Sequence, residues 1–136
     1  MEVEKKLNVS ANYFYNRVIE SVLYDIRQHT KQSVNKDQLA DFSYTKQFSS
    51  TASGKITITE IEENRSYGFK TETVKNTFEA KYLIKPIDDT HCKVSYTEKM
   101  ESNGAFQNMN DMVVGTLLGY FRKKNLKKML VSIEQM

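Results

Sequence analysis

The first thirty residues change from a strand pattern to a helix pattern. Between residues 2 and 9, the apolar residues Val3, Leu7 and Val9 alternate with polar ones, which predicts a half-buried strand. Ser10 follows as a candidate N-cap. From there apolar residues recur at spacings of three and four, which predicts an amphipathic helix that ends near residues 27 to 29. The stripe consists of Ala11, Phe14, Val18, Val22 and Ile26, widened by Tyr15, Ile19 and Leu23.

Residues 42 to 101 carry a period-two pattern that is broken by turn signals at regular spacing. A short helical turn at residues 37 to 40 is predicted before it. The pattern predicts five strands, at residues 42–49, 55–62, 66–74, 77–85 and 90–101. Pro86 is expected to stop the fourth of these, because proline lacks the N–H donor that a strand ladder needs. The short connections force neighbouring strands to run antiparallel.

Residues 107 to 133 contain no proline and have the composition of one long helix, about 40 Å in length. Apolar residues occupy two opposite sides, as expected of a helix that is covered on both. Gly115 and Gly119 lie one turn apart on the second side. Glycine inside a helix costs up to ~1 kcal/mol relative to alanine, and it marks close backbone approach or space left for another molecule. We expect this helix and the sheet to cover each other's apolar faces.

The predicted element order is strand, helix, five antiparallel strands and a long terminal helix. This order resembles the helix-grip fold of the START-like, polyketide-cyclase and plant-allergen superfamily. The resemblance implies an α+β fold, in which a curved antiparallel sheet of about six strands wraps a long C-terminal helix and encloses a cavity. It extends over residues 1–136 as a single domain. The segments FSYTKQF (42–48) and GYFRKKNLKKML (119–130) also resemble a small bacterial family of unknown function.

Length, charge, cysteine content and the lengths of the apolar runs limit the classes of protein that the sequence can represent. A chain of 136 residues has the size of one domain, and 20 basic against 17 acidic side chains do not favour nucleic acid as a partner. Cys92 is the sole cysteine, so no internal disulfide can form, which fits the reducing cytoplasm. No apolar run reaches the ~18 residues of a membrane span, and the N-terminus lacks a signal-peptide core. We therefore expect a soluble, cytoplasmic protein.

The sequence contains no motif of catalysis or of metal or cofactor binding. HExxH, CxxC and glycine-rich phosphate loops are absent, and His29 and His91 are isolated. A basic cluster near the end of the predicted terminal helix complements the helix macrodipole or contacts an anionic partner. The cluster consists of Arg122, Lys123, Lys124, Lys127 and Lys128.

Strand parity places polar residues among the aromatic residues of one sheet face. These polar residues are Lys5, Lys46, Glu60, Thr71 and Glu98. A charge on an apolar face is costly unless it is paired or hydrated. Either these side chains reach solvent at the strand ends or they form a polar cluster in a cavity. Glu98 is the leading candidate for such a cluster, because it lies between Tyr96 and Met100, which are both predicted to point inward.

The leading hypothesis is non-enzymatic binding of a small, largely apolar or aromatic ligand between the sheet and the C-terminal helix. The predicted lining residues are Tyr44, Tyr82, Tyr96, Glu98, Met112, Gly115 and Gly119. The alternative is an interaction or regulatory protein with a filled core. Its terminal helix would present Val114, Leu118 and Phe121 to a partner or to a second copy in a homodimer. A third hypothesis is an enzyme of polyketide-cyclase type, with Glu98 and Lys46 as acid and base.

Overall fold

The computed structural model of the protein describes residues 2–102, 128 and 130–133. The elements are β1 (Glu2–Leu7), α1 (Ala11–Thr30), a 3-10 turn (Lys36–Gln38), β2 (Ser43–Gln47), β3 (Ser53–Glu62), β4 (Ser66–Glu72), β5 (Asn76–Asp88) and β6 (His91–Ser102). Residues 128 and 130–133 are helical. The predicted strand, helix and five further strands are thus confirmed. The predicted C-terminal helix, with its glycines and its partner-facing residues, otherwise lies outside the described residues.

The six strands form one antiparallel sheet in the order β1-β6-β5-β4-β3-β2. Consecutive strands from β2 to β6 pair through short connections, which leave antiparallel pairing as the only geometry. β1 then adds to the other side of β6, where Val3 lies opposite Tyr96 and Leu7 lies opposite Cys92. β1 and β2 are therefore the two edges of the sheet.

Helix α1 packs its apolar stripe against one face of the sheet, which we call the inner face. Its first turn is capped by Ser10, whose Oγ accepts a hydrogen bond from the backbone N–H of Tyr13 at 3.1 Å. Its C-terminus is capped by Lys31, which adopts a left-handed φ of 62° and donates its backbone N–H to the Arg27 carbonyl. The core lies between the sheet, α1 and the C-terminal helical residues. Its largest fully buried side chains are Val3, Leu7, Phe14, Ile26, Leu39, Ile58, Cys92, Val94 and Leu130.

The prediction that Glu60 points to the inner face is wrong. The β3–β4 register shifts between Ile58 and Glu60, as happens at a β-bulge. Because side chains alternate with period two, one extra residue moves every later side chain to the opposite face. Ile61 therefore pairs with inward-facing Tyr67, and Glu60 forms an ion pair with Lys81 at 3.1 Å on the outer face.

The prediction that Pro86 ends its strand is also wrong, because β5 continues to Asp88. The ladder between β4 and β5 ends where Ser66 pairs with Leu83, and one further bond runs from the backbone N–H of Ile84 to Arg65; Pro86 itself pairs with Cys92 of β6. The β5–β6 register then shifts between Pro86 and Asp88. Proline is tolerated at such edges and bulges, because its missing N–H removes little from the ladder there.

Candidate functional site

A pocket of about 440 Å³ lies between α1 and the inner face of the sheet. Residues of α1 form one wall. Positions 18 and 22 are four residues apart, and so are positions 17, 21 and 25, which places these side chains along one side of the helix. Side chains from β2, β3, β4 and β5 form the other wall. The described lining residues are Arg17, Val18, Ser21, Val22, Asp25, Tyr44, Lys46, Ile56, Tyr67, Phe69, Tyr82 and Ile133. Most of these side chains are aliphatic or aromatic, so the wall of the pocket is mainly apolar.

A polar cluster of Asp25, Tyr44, Lys46 and His29 lies at the side of this pocket. The Tyr44 hydroxyl donates a hydrogen bond to Asp25 Oδ2 at 2.5 Å, and Lys46 Nζ donates one to Asp25 Oδ1 at 2.9 Å. His29 Nε2 lies 3.6 Å from the same Oδ1. The side chains of Asp25 and Lys46 are 28% and 29% exposed, which places the ion pair at the border between pocket and solvent.

The protonation states of this cluster follow from its contacts. Burial by itself would raise the pKa of Asp25, but hydrogen bonds from Tyr44 and Lys46, together with the charges of Lys46 and His29, lower it below its usual value. Burial and the neighbouring Asp25 carboxylate raise the pKa of Tyr44. At neutral pH the Asp25 carboxyl is therefore anionic. The Tyr44 phenol is neutral, and its O–H donates a hydrogen bond to that carboxylate.

Aromatic rings surround Tyr82, which lines the pocket. The Tyr82 ring centroid lies 4.9 Å from that of Tyr96, 6.1 Å from that of Phe14 and 6.3 Å from that of Tyr67. Such spacings are typical of favourable ring pairs. Burial, with a smaller contribution from the charge of Glu98, raises the pKa of Tyr82 to about 12. The phenol is therefore neutral at physiological pH.

The structure separates the predicted ligand-binding residues into three groups. Tyr44 and Tyr82 line the pocket. Tyr96 packs against Tyr82, and its hydroxyl donates a hydrogen bond to Glu98 at 2.7 Å. Glu98 itself borders a second groove, beside Lys81 and Lys99. Met112, Gly115 and Gly119 lie outside the described residues.

Asp25 is the functional candidate that the sequence patterns did not reveal. The helix pattern assigns Asp25 to the polar side of α1, although in the sequence it stands between the stripe residues Val22 and Ile26. The predicted inward direction of Lys46 could have indicated an acidic partner, because a lysine side chain on the inner face of a sheet needs a counter-charge. Lys46 pairs with Asp25 rather than with Glu98, which was its predicted catalytic partner.

The described residues contain no group of three His, Cys, Asp or Glu side chains that could hold a metal ion. Over the same residues, every helix is too short or too polar to cross a membrane.

The sequence matches a family model described as "Domain of unknown function (DUF3284)" over residues 1–119. The match spans most of the chain, and the chain therefore belongs to this family. No curated protein matches the sequence.

Solved structures with a similar fold include three that cover nearly the whole chain. The crystal structure of Ara h 8.0201 has a TM-score of 0.64 and 13% identity, covering 99% of this chain and 94% of that one. A conserved protein from Geobacillus kaustophilus has a TM-score of 0.57 and 16% identity, with coverages of 98% and 94%. Norcoclaurine synthase from Thalictrum flavum, in complex with dopamine and hydroxybenzaldehyde, has a TM-score of 0.57 and 9% identity, with coverages of 94% and 86%. At these identities the likeness shows the fold alone, which agrees with the predicted helix-grip class.

Proposed function

We propose that this member of the DUF3284 family binds a small, largely apolar or aromatic molecule in the pocket between α1 and the inner face of the sheet. The observation that carries the proposal is the pocket itself, at about 440 Å³ and lined mainly by aliphatic and aromatic side chains. Ligand sites in proteins typically measure ~300–1,000 Å³ and combine an apolar lining with a few polar groups.

Two of the tyrosines predicted from the sequence are the proposed ring contacts. Tyr82 is only partly buried, although it is surrounded by three other rings, and Tyr44 holds its hydroxyl against Asp25. A ligand that covers such rings gains about 25 cal/mol for each Å² of apolar surface removed from water. In this proposal Tyr96 packs against the side of Tyr82, and Glu98 holds the Tyr96 hydroxyl. The proposed site also includes Met112, Gly115 and Gly119, which are not among the described residues.

The chemistry of the polar cluster favours ligand binding over acid–base catalysis. The Asp25 carboxylate is engaged by Tyr44 and Lys46, and its lowered pKa makes it a weak base. The raised pKa of Tyr44 makes its phenol a weak acid. The cluster is therefore suited to orienting a ligand. The norcoclaurine synthase complex holds dopamine and hydroxybenzaldehyde, so a fold of this kind can accommodate small aromatic molecules.

A pocket-blocking substitution tests the proposal. Ser21 is exposed and lines the pocket, so Ser21→Trp places a large ring at its rim without disturbing the core. The matched control is Gln28→Trp, which is exposed on the same helix and is not a lining residue. Phenylnaphthylamine, a neutral dye that fluoresces in apolar sites, serves as the probe.

We expect the dye to bind the wild-type protein and the Gln28→Trp variant alike, and to bind Ser21→Trp at least tenfold more weakly. Native mass spectrometry of protein purified from its own host would reveal a retained ligand directly. Dye binding that is absent from the wild type, or unaffected by Ser21→Trp, would refute the proposal.

A further inference from the structure

Positive charge exceeds negative charge among the described residues that line the pocket. Arg17 and Lys46 are cationic, whereas Asp25 is the one anion among them. Arg17 forms an ion pair with Glu20 at 2.8 Å, but Glu20 is 61% exposed and does not line the pocket. Arg17 lies eight residues before Asp25 in α1, which is about 12 Å along the helix axis. Arg17 therefore contributes its positive charge to a different part of the pocket from Asp25 and Lys46.

The residues of the polar cluster also differ in the hydrogen bonds that they can offer to a ligand. A lysine ammonium has three N–H donors, and among the described residues Lys46 donates to Asp25. The bond to Asp25 uses one of these groups, so the other two remain for a further acceptor, beside the Phe48 ring whose centroid lies 6.0 Å from Nζ. The Tyr44 proton is directed at Asp25 and is not available to a ligand. His29 is not among the residues that line the pocket, so the donors that the cluster can offer to a ligand there belong to Lys46.

From this arrangement we infer that the ligand is an organic anion, with an aromatic or alicyclic body in the apolar part of the pocket and a carboxylate bound by Lys46. The inference rests on the proposed function, and it adds the chemical class of the ligand. Asp25 has two effects in this arrangement. It holds the ammonium at the pocket wall, and it competes with the ligand carboxylate for the same N–H groups. Tyr44 holds Asp25 in place through its hydrogen bond and also lines the pocket wall.

The test compares two compounds that differ in charge and hardly in shape, naphthylacetate and naphthylacetamide. Each is titrated against the wild-type protein and two variants at pH 7 and low salt, by displacement of phenylnaphthylamine. Lys46→Met removes the cation and keeps a long apolar side chain. Asp25→Asn removes the competing charge and keeps an oxygen that can accept from Lys46, while its amide N–H can donate to the Tyr44 hydroxyl oxygen. Thermal unfolding of each variant confirms that it is folded.

We expect the wild-type protein to bind the carboxylate roughly three- to tenfold more tightly than the amide, since a partly exposed charged hydrogen bond is worth about that factor. Lys46→Met should abolish this preference, because the carboxylate should lose more affinity than the amide does. Asp25→Asn should increase the preference. If Lys46→Met does not fold, the direction of the Asp25→Asn effect decides the question.

Equal affinity for the two compounds in the wild type would overturn the inference while leaving the proposed function intact. A preference that persists in Lys46→Met, or that falls in Asp25→Asn, would also overturn it. If neither compound nor the dye binds, the proposed function fails together with the inference.

Discussion

Tyr44 in β2 donates its hydroxyl hydrogen bond to Asp25 in α1 at 2.5 Å, across 19 residues of sequence. β2 is an edge strand of five residues with one strand neighbour, so it has few ladder hydrogen bonds of its own. The link to Asp25 ties this edge to the helix. Because both residues line the pocket, the same bond sets the distance between the two pocket walls at this end.

Removing this hydroxyl should weaken the fold measurably. Tyr44→Phe keeps the buried ring but leaves the half-buried Asp25 carboxylate without one of its donors. We expect the free energy of unfolding to fall by about 1.5–3 kcal/mol, the range for hydrogen bonds to charged groups. Urea denaturation followed by circular dichroism measures the change. Tyr24→Phe is the control, because Tyr24 is 58% exposed on the same helix and its hydroxyl should contribute little. Equal effects of the two substitutions would contradict the prediction.

Asp25 should make the stability of the protein depend on acid pH. Its pKa in the folded protein lies below the ordinary value of 3.8, so the folded state binds this proton less readily than the unfolded chain. The stabilisation is therefore fully present above about pH 4 to 5 and is lost as pH falls through the folded pKa. Asp88 contributes with the same sign, because the backbone N–H of Thr90 and the side chain of His91 lower its pKa to about 2.

The contribution of Asp25 to stability can be measured apart from that of Asp88 in a protein that already carries Asp88→Asn. In this background we expect Asp25→Asn to reduce the free energy of unfolding at pH 7, and the reduction to shrink below pH 4. Denaturant titrations at a series of pH values measure both quantities. A reduction that stays constant down to pH 2 would show that Asp25 does not titrate differently in the two states.

Gly54 and Gly68 should respond differently to alanine, although both lie in strands. A Cβ on Gly54 would lie 2.9 Å from Phe48 Cε2 and 3.0 Å from the backbone oxygen of Glu72, which the sheet ladder holds in place. A Cβ on Gly68 would meet the Thr59 hydroxyl at 3.2 Å and no other atom closer than 3.4 Å. We expect Gly54→Ala to cost about 1–3 kcal/mol and Gly68→Ala less than about 1 kcal/mol. Thermal unfolding of the two variants in parallel ranks them, and the reverse order would disprove this reading of their surroundings.

The N-cap of α1 should be replaceable only by another side chain that accepts a hydrogen bond. Ser10→Ala removes the acceptor for the backbone N–H of Tyr13, and we expect it to cost ~1 kcal/mol. Ser10→Asp should restore most of the loss, because aspartate caps helices as well as serine does and its charge favours the helix N-terminus. If Ser10→Asp unfolds as easily as Ser10→Ala, the cap does not act through this bond.

The sequence by itself predicted the elements whose causes are local. The stripe from Ala11 to Ile26 and the capping residue Ser10 predict α1, since helix periodicity and capping act within a few residues. Alternation and short turns likewise predicted five consecutive antiparallel strands and the inward direction of Tyr44 and Tyr82. The errors at Glu60 and Pro86 arose where the register shifts, because a bulge depends on the partner strand as well as on the strand that contains it.

Only the tertiary structure decided which residues meet at the pocket. Asp25 and Lys46 belong to different elements, and strand parity could place Lys46 on the inner face without identifying its counter-charge. That partner depends on how α1 crosses the sheet, which the packing of the whole core determines. Tyr96 and Glu98 share the inner-face parity of Tyr82, yet they lie beside the pocket rather than in its lining, because the position of α1 determines where the pocket forms.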